Sequence, residues 1–157
     1  MVTAGELVRV RKGLYWRGET TKFGMLRPSP LSVGVAVGGD GSGPSGISAA
    51  RSLGVTTQVP GTIEVAVPGR APKPWTGVTF KSRPYERRLR MLEPLEVAVL
   101  ELLRDPSAAE APWPDIADKI TTLIETSKIR ADVLADEVAD EPSIAARRRW
   151  KELATAP

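Results

Sequence analysis

The chain of 157 residues contains no cysteine and no histidine. Without thiols it has no disulfide framework and no thiolate zinc site. Without imidazole it lacks the commonest general base near neutral pH and the commonest protein metal ligand. No apolar run in it is long enough to span a bilayer, and the N-terminus lacks the basic-then-apolar layout of a secretion signal. A cytoplasmic location is therefore expected. What the chain does have is 41% hydrophobic and 26% charged residues, the proportions of a folded rather than a disordered protein. Its length suits one ordinary domain or two small ones.

The formal net charge of +3 is unevenly spread. Residues 1–104 carry 15 Lys or Arg against 8 Asp or Glu, whereas residues 105–157 carry 7 against 11. A basic body with an acidic tail suits contact with a polyanion. It suits equally a chain whose two parts complement each other, with the charge serving solubility.

Residues 46–80 organise the rest. Ile47 to Leu53 reads as a short helix that Gly54 ends. Thr62 to Val67 and Gly77 to Lys81 read as strands, separated by Pro68, Gly69, Pro72 and Pro74, which a central strand would not tolerate. Alternation places Ile63, Val65 and Val67 on one face. The pattern predicts a helix laid on a small sheet.

Upstream, Leu7 to Val10 and Leu14 to Trp16 flank Arg11-Lys12-Gly13, a β-hairpin with glycine in the left-handed position. Its basic tip, with Arg9 and Arg17 beside it, suits a wing lying on phosphates; charge that blunts an exposed strand edge would look the same. Residues 18–30 read as loop. Leu31 to Val37 is apolar and short. Its β-branched residues favour strand, while Pro30 with Ser29 as cap favours helix.

Gly41-Ser42-Gly43-Pro44-Ser45-Gly46 matches the dinucleotide spacing G-x-G-x-x-G, with Glu64 about twenty residues on. Three features count against a nucleotide there. Pro44 removes a backbone donor, the following helix is too short for a crossover, and Glu64 does not end a strand. A flexible glycine-rich connection is the expectation.

Lys81, Arg83, Arg87, Arg88 and Arg90, with Tyr85 interleaved, form the densest basic cluster. It suits a phosphate backbone, an acidic protein surface, or a solvated face. Glu93 to Arg104 predicts a helix buried on most sides, with Leu95, Val99, Leu102 and Leu103 on one face. Pro94 suits its first turn, and Asp105-Pro106 ends it. Three further amphipathic stretches follow: Pro114 to Glu125, Ile129 to Val138 and Pro142 to Leu153.

Asp115 with Asp118, or Asp132 with Asp136, has a spacing that would allow a metal or an acid–base pair. Such spacings are ordinary on wet helix faces. Ser45 and Ser48 have no evident activating base. The expectation is a non-catalytic binding protein with no cofactor and no metal.

Four stretches, taken in order, resemble the AbiEi-type antitoxins of abortive-infection toxin–antitoxin pairs. They are Leu7 to Tyr15, Gly46 to Gly54, Val65 to Arg70 and Leu92 to Glu101, within residues 5–104. The resemblance implies an N-terminal winged helix that binds DNA, an α/β antitoxin domain, and a nucleotidyltransferase-like toxin from an adjacent gene as partner in phage defence. It implies that Val8 to Tyr15 is the wing, and it tips Leu31 to Val37 towards helix. A winged helix needs helices before the wing, and only Met1 to Gly5 precede it here. Most of that unit is expected to be missing and DNA binding to be weak.

The combined expectation is an α+β fold. Residues 1–26 form a wing-like hairpin and linker, 27–104 a core of small mixed sheet and helices, and 105–157 a helical tail packed on that core. Arg9, Arg11, Lys12 and Arg17 are the candidate nucleic-acid contacts. Lys81, Arg83, Arg87, Arg88 and Arg90 are the candidate partner or phosphate contacts. The expected role is toxin neutralisation, with transcriptional regulation through the basic winged-helix-type surface as the alternative.

Overall fold

A computed structural model describes residues 7–155, apart from the side chains at positions 7, 8, 11, 19, 20 and 25. The fold is α+β, with an antiparallel N-terminal hairpin, small sheets and seven α-helices among the described residues. Strands β1 (Leu7–Arg11) and β2 (Leu14–Arg17) form the expected hairpin. Gly13 takes φ +80°, and the register shifts between Arg9 and Arg11. The following segment is not the plain loop expected. β3 (Glu19–Thr21) and β4 (Gly24–Leu26) make a second hairpin. Strands of three residues are too short for alternation to announce them. The two hairpins are tied together by the Trp16 indole N–H, which donates to the Leu26 carbonyl at 3.2 Å.

Helix α1 (Pro30–Gly38) resolves the ambiguous apolar run. The Ser29 side chain accepts from the Ser32 N–H and Pro30 occupies the first turn, so cap and proline outweigh the β-branched residues. The central sheet has the order β5 (Gly43–Ser45), β6 (Ile63–Pro68), β7 (Val78–Arg83). β5 pairs antiparallel with β6, and β6 pairs parallel with β7. The parallel return is made by residues 69–77 alone, a short link for such a crossover. Trp75 in that link packs with Val65, Val67 and Val78, the same face that Leu31 and Val35 of α1 cover.

The other face of the sheet presents Ala66 to α2 (Gly46–Ser52) and α4 (Pro94–Arg104). Eight consecutive residues of α4, Glu96 to Leu103, are buried. α5 (Trp113–Glu125), α6 (Ala131–Asp140) and α7 (Ile144–Thr155) add Ile116, Ile120, Leu134, Val138 and Ala146 to the same cluster as Ala49, Leu53, Leu100 and Leu103. Short α3 (Glu86–Leu89) lies between β7 and α4 in the chain. No helix among the described residues is long and apolar enough to cross a membrane.

The glycine-rich connection is not flexible filler. Gly41 to Ser45 is buried throughout. A Cβ at Gly41, where φ is +78°, would sit 2.5 Å from the Arg87 carbonyl oxygen, and one at Gly43 would sit 2.5 Å from the Val97 Cβ. These glycines let the backbone pack against α3 and α4.

Candidate functional site

A helix that buries eight consecutive residues must dispose of the two carboxylates among them. Both are paired with arginine, as burial demands. Glu96 meets Arg130, with a closest approach of 2.9 Å. Glu101 sits at the centre of a larger network. Arg83 grips it with two bonds, Nε to Oε1 and Nη2 to Oε2, each 2.8 Å. Arg87 Nη1 donates to Oε1 at 2.8 Å, and the Ser45 hydroxyl donates to Oε2 at 2.9 Å.

Arg87 is fully buried, at 0% exposure. Its Nε also donates to Glu141 Oε1 at 2.8 Å, and its Nη2 lies 2.7 Å from the same oxygen. Arg104 takes the second Glu141 oxygen at 2.9 Å. Arg90 bonds Glu137 and Asp140. Four arginines, Arg83 of β7, Arg87 of α3, Arg90 at the C-terminal end of α3 and Arg104 of α4, thus face Glu101 of α4 and three carboxylates from α6 and its C-terminal end.

This placement corrects the outward reading of the basic cluster. Arg87 contacts no solvent, and Arg83 and Arg90 direct their guanidinium groups to internal carboxylates. Arg88 stacks 5.7 Å from the Tyr85 ring centroid and donates to the carbonyls of Gly38 and Asp40, holding the glycine segment. Lys81 pairs with Glu64 across neighbouring strands at 3.1 Å. Glu64 therefore answers a lysine in mid-sheet. Of the cluster, Arg87 and Arg90 meet carboxylates of the chain's own tail.

Burial pushes the Glu101 carboxyl up, but the Arg83 hydrogen bonds and the charges of Arg87 and Arg83 outweigh it and hold the group down at about 2. Glu137 goes the other way. Burial raises it, and the bond from Arg90 does not compensate. Its Oε1 has no hydrogen-bond partner among the described residues.

The four aspartates read as possible metal or acid–base pairs, Asp115, Asp118, Asp132 and Asp136, are exposed. No group of three or more His, Cys, Asp or Glu that could hold a metal ion occurs among the described residues. Ser48 is buried, and its hydroxyl has no hydrogen-bond partner among the described residues.

The outward basic surface lies on the hairpins. Arg9, Lys12 and Arg17 are exposed, while the side chain of Arg11 lies outside the described residues. Residues 7–27 carry six Lys or Arg against one Glu. Tyr15 and Phe23 are exposed among them, with Lys22 5.0 Å from the Phe23 ring centroid. Between the first hairpin, helix α1 and the link before β7 runs a cleft of about 600 Å³ lined by Arg9, Trp16, Arg27, Pro28, Val33 and Trp75 among others. Sequence reading missed this cleft because Trp75 reaches it from a proline-rich link distant in the chain. The internal network was missed for a similar reason, although Glu137 and Glu141, one turn apart beside Leu134 and Val138, mark a carboxylate row along a buried stripe.

No family model matches the chain, and no curated protein matches it. Among solved structures the chain is similar to the Rv2827c protein from Mycobacterium tuberculosis, at 20% identity and a TM-score of 0.48, over 79% of this chain. The chain spans about half of that protein's length, 51%.

Proposed function

We propose that this protein is a cytoplasmic antitoxin of the AbiEi type, which neutralises a nucleotidyltransferase-like toxin encoded beside it and carries out no chemistry of its own. One observation supports the reading most. Three of the four stretches that carry the resemblance fall on α2, β6 and α4, and they meet in one cluster through Ala49, Leu53, Ala66 and Val97 to Leu100. The resemblance therefore follows one packed unit rather than scattered surface positions. The test is co-expression with the product of the adjacent gene. Relief of its growth arrest is expected, and an arrest that persists, or a harmless neighbour, would refute the reading. Co-purification of the two proteins would distinguish direct contact from modification of the toxin or protection of its target.

A second reading, a DNA-binding regulator, is favoured by the exposed Arg9, Lys12 and Arg17 on the hairpin. Contacts of this kind reach phosphates and carry no sequence information. The expected binding is weak, steeply salt-dependent and indifferent to sequence. Tight, sequence-specific binding at physiological salt would contradict it.

A further inference from the structure

We propose that the cleft between the paired hairpins, helix α1 and the link before β7 is a binding site for one nucleotide unit, a base with its phosphate. The inference stands apart from the toxin-neutralising reading and from the glycine segment, whose Gly41 and Gly43 pack against α3 and α4. It rests on what lines the cleft and on how firmly the lining is held.

Two indoles contribute to the walls, Trp16 from β2 and Trp75 from the link before β7, and both are half-buried. Each is anchored. Trp16 spends its only donor on the Leu26 carbonyl at 3.2 Å, so what it can offer a ligand is a ring face rather than a hydrogen bond. Trp75 is fixed by reciprocal backbone bonds with Val78, at 2.9 and 2.8 Å, and by packing on the Val65, Val67 and Val78 face. Pinned aromatic faces suit a flat ring, and stacking of a base on such a face tolerates any base.

The remaining polar lining is cationic. Arg9 and Arg27 are exposed at the cleft, and no carboxylate among the described residues pairs with either. This contrasts with Arg83, Arg87, Arg90 and Arg104, which are matched by carboxylates. Two guanidinium groups with no carboxylate partner among the described residues, beside two indoles, suit a planar ligand bearing an anion, and guanidinium is well suited to phosphate. The volume, about 600 Å³, falls in the range of small-molecule sites. The same chemistry could be supplied by a free nucleotide or by an unpaired nucleotide of a nucleic acid strand.

Calorimetric titration of the full chain tests this with four probes: AMP, adenosine, a 5′-phosphorylated single-stranded oligonucleotide and a blunt duplex of the same length. Binding of AMP and the single strand, with adenosine at least about tenfold weaker, supports the site and a free-nucleotide source; the expected factor is that of losing one charged hydrogen-bond partner. Binding of the single strand alone supports the site and assigns it to unpaired nucleic acid. Arg9→Ala with Arg27→Ala should weaken either probe about tenfold or more for the same reason. Because both arginines are exposed, their replacement should leave thermal unfolding unchanged, which keeps the test independent of folding. Trp75→Leu should abolish binding. No binding of AMP or single strand, equal binding of AMP and adenosine, duplex binding alone, or full binding by the double arginine variant would overturn the proposal.

Discussion

Glu101 shows how one buried carboxylate sets the local chemistry of this protein. Its ionised form is held by Arg83, Arg87 and Ser45, and its folded value of about 2 lies below the ordinary 4.5. A depressed carboxylate contributes stability above its unfolded value and loses it as pH falls towards the folded one. Glu101 therefore contributes roughly 3 kcal/mol at neutral pH, an amount lost between about pH 4.5 and pH 2. Glu101→Gln should cost about 3–5 kcal/mol in urea unfolding at pH 7, because it leaves buried guanidinium groups short of a partner, and should flatten the acid limb of the stability curve. A loss below about 1 kcal/mol would contradict the role given to it. Glu137 has the opposite sign. Its raised carboxyl favours the protonated folded state, and that contribution disappears as pH rises through the folded value. Glu137→Gln keeps an acceptor for Arg90 and removes a charge that burial disfavours, so a change within about 1 kcal/mol is expected at pH 7. Equal damage from the two substitutions would show that the carboxylates are interchangeable.

At the scale of elements, the glycine segment is buried with its backbone close against α3 and α4. Gly41→Ala would place a methyl against the Arg87 carbonyl, in a left-handed backbone conformation that favours glycine. A loss of about 2–4 kcal/mol in chemical denaturation is expected, since strain and overpacking act together. An unchanged midpoint would show that the segment yields after all. Helices were the most legible elements in the sequence, because their signals are local. Ser29 and Pro30 start α1, Gly54 follows α2 at φ +71°, and Pro94 opens α4. The alternation of Ile63, Val65 and Val67 marked the face that α1 covers. The rest depends on separations that no local pattern carries. β6 and β7 are parallel through a short link, Arg83 finds Glu101 across 18 residues, and Arg87 finds Glu141 across 54. A cluster of arginines looks the same in sequence whether its carboxylates are solvent-distant or simply later in the chain.

The whole molecule divides its charge by purpose. Arg87, Arg90 and Arg104 of the body bind carboxylates of the acidic tail, and the tail helices complete the cluster around Leu100 and Leu103. Arg9, Lys12, Arg17 and Lys22 of the hairpins are exposed, together with Tyr15 and Phe23. We propose that these are two surfaces with separate roles: a hairpin side suited to phosphates, and a packed body on which three of the four resembling stretches lie. The account therefore expects toxin neutralisation to reside in the body. The direct measurement is growth of cells expressing the neighbouring gene product together with either the unaltered chain or an Arg9→Ala, Lys12→Ala, Arg17→Ala variant. The account predicts that both relieve growth arrest to the same extent. Continued arrest with the unaltered chain, or rescue that vanishes with the hairpin charges, would contradict it.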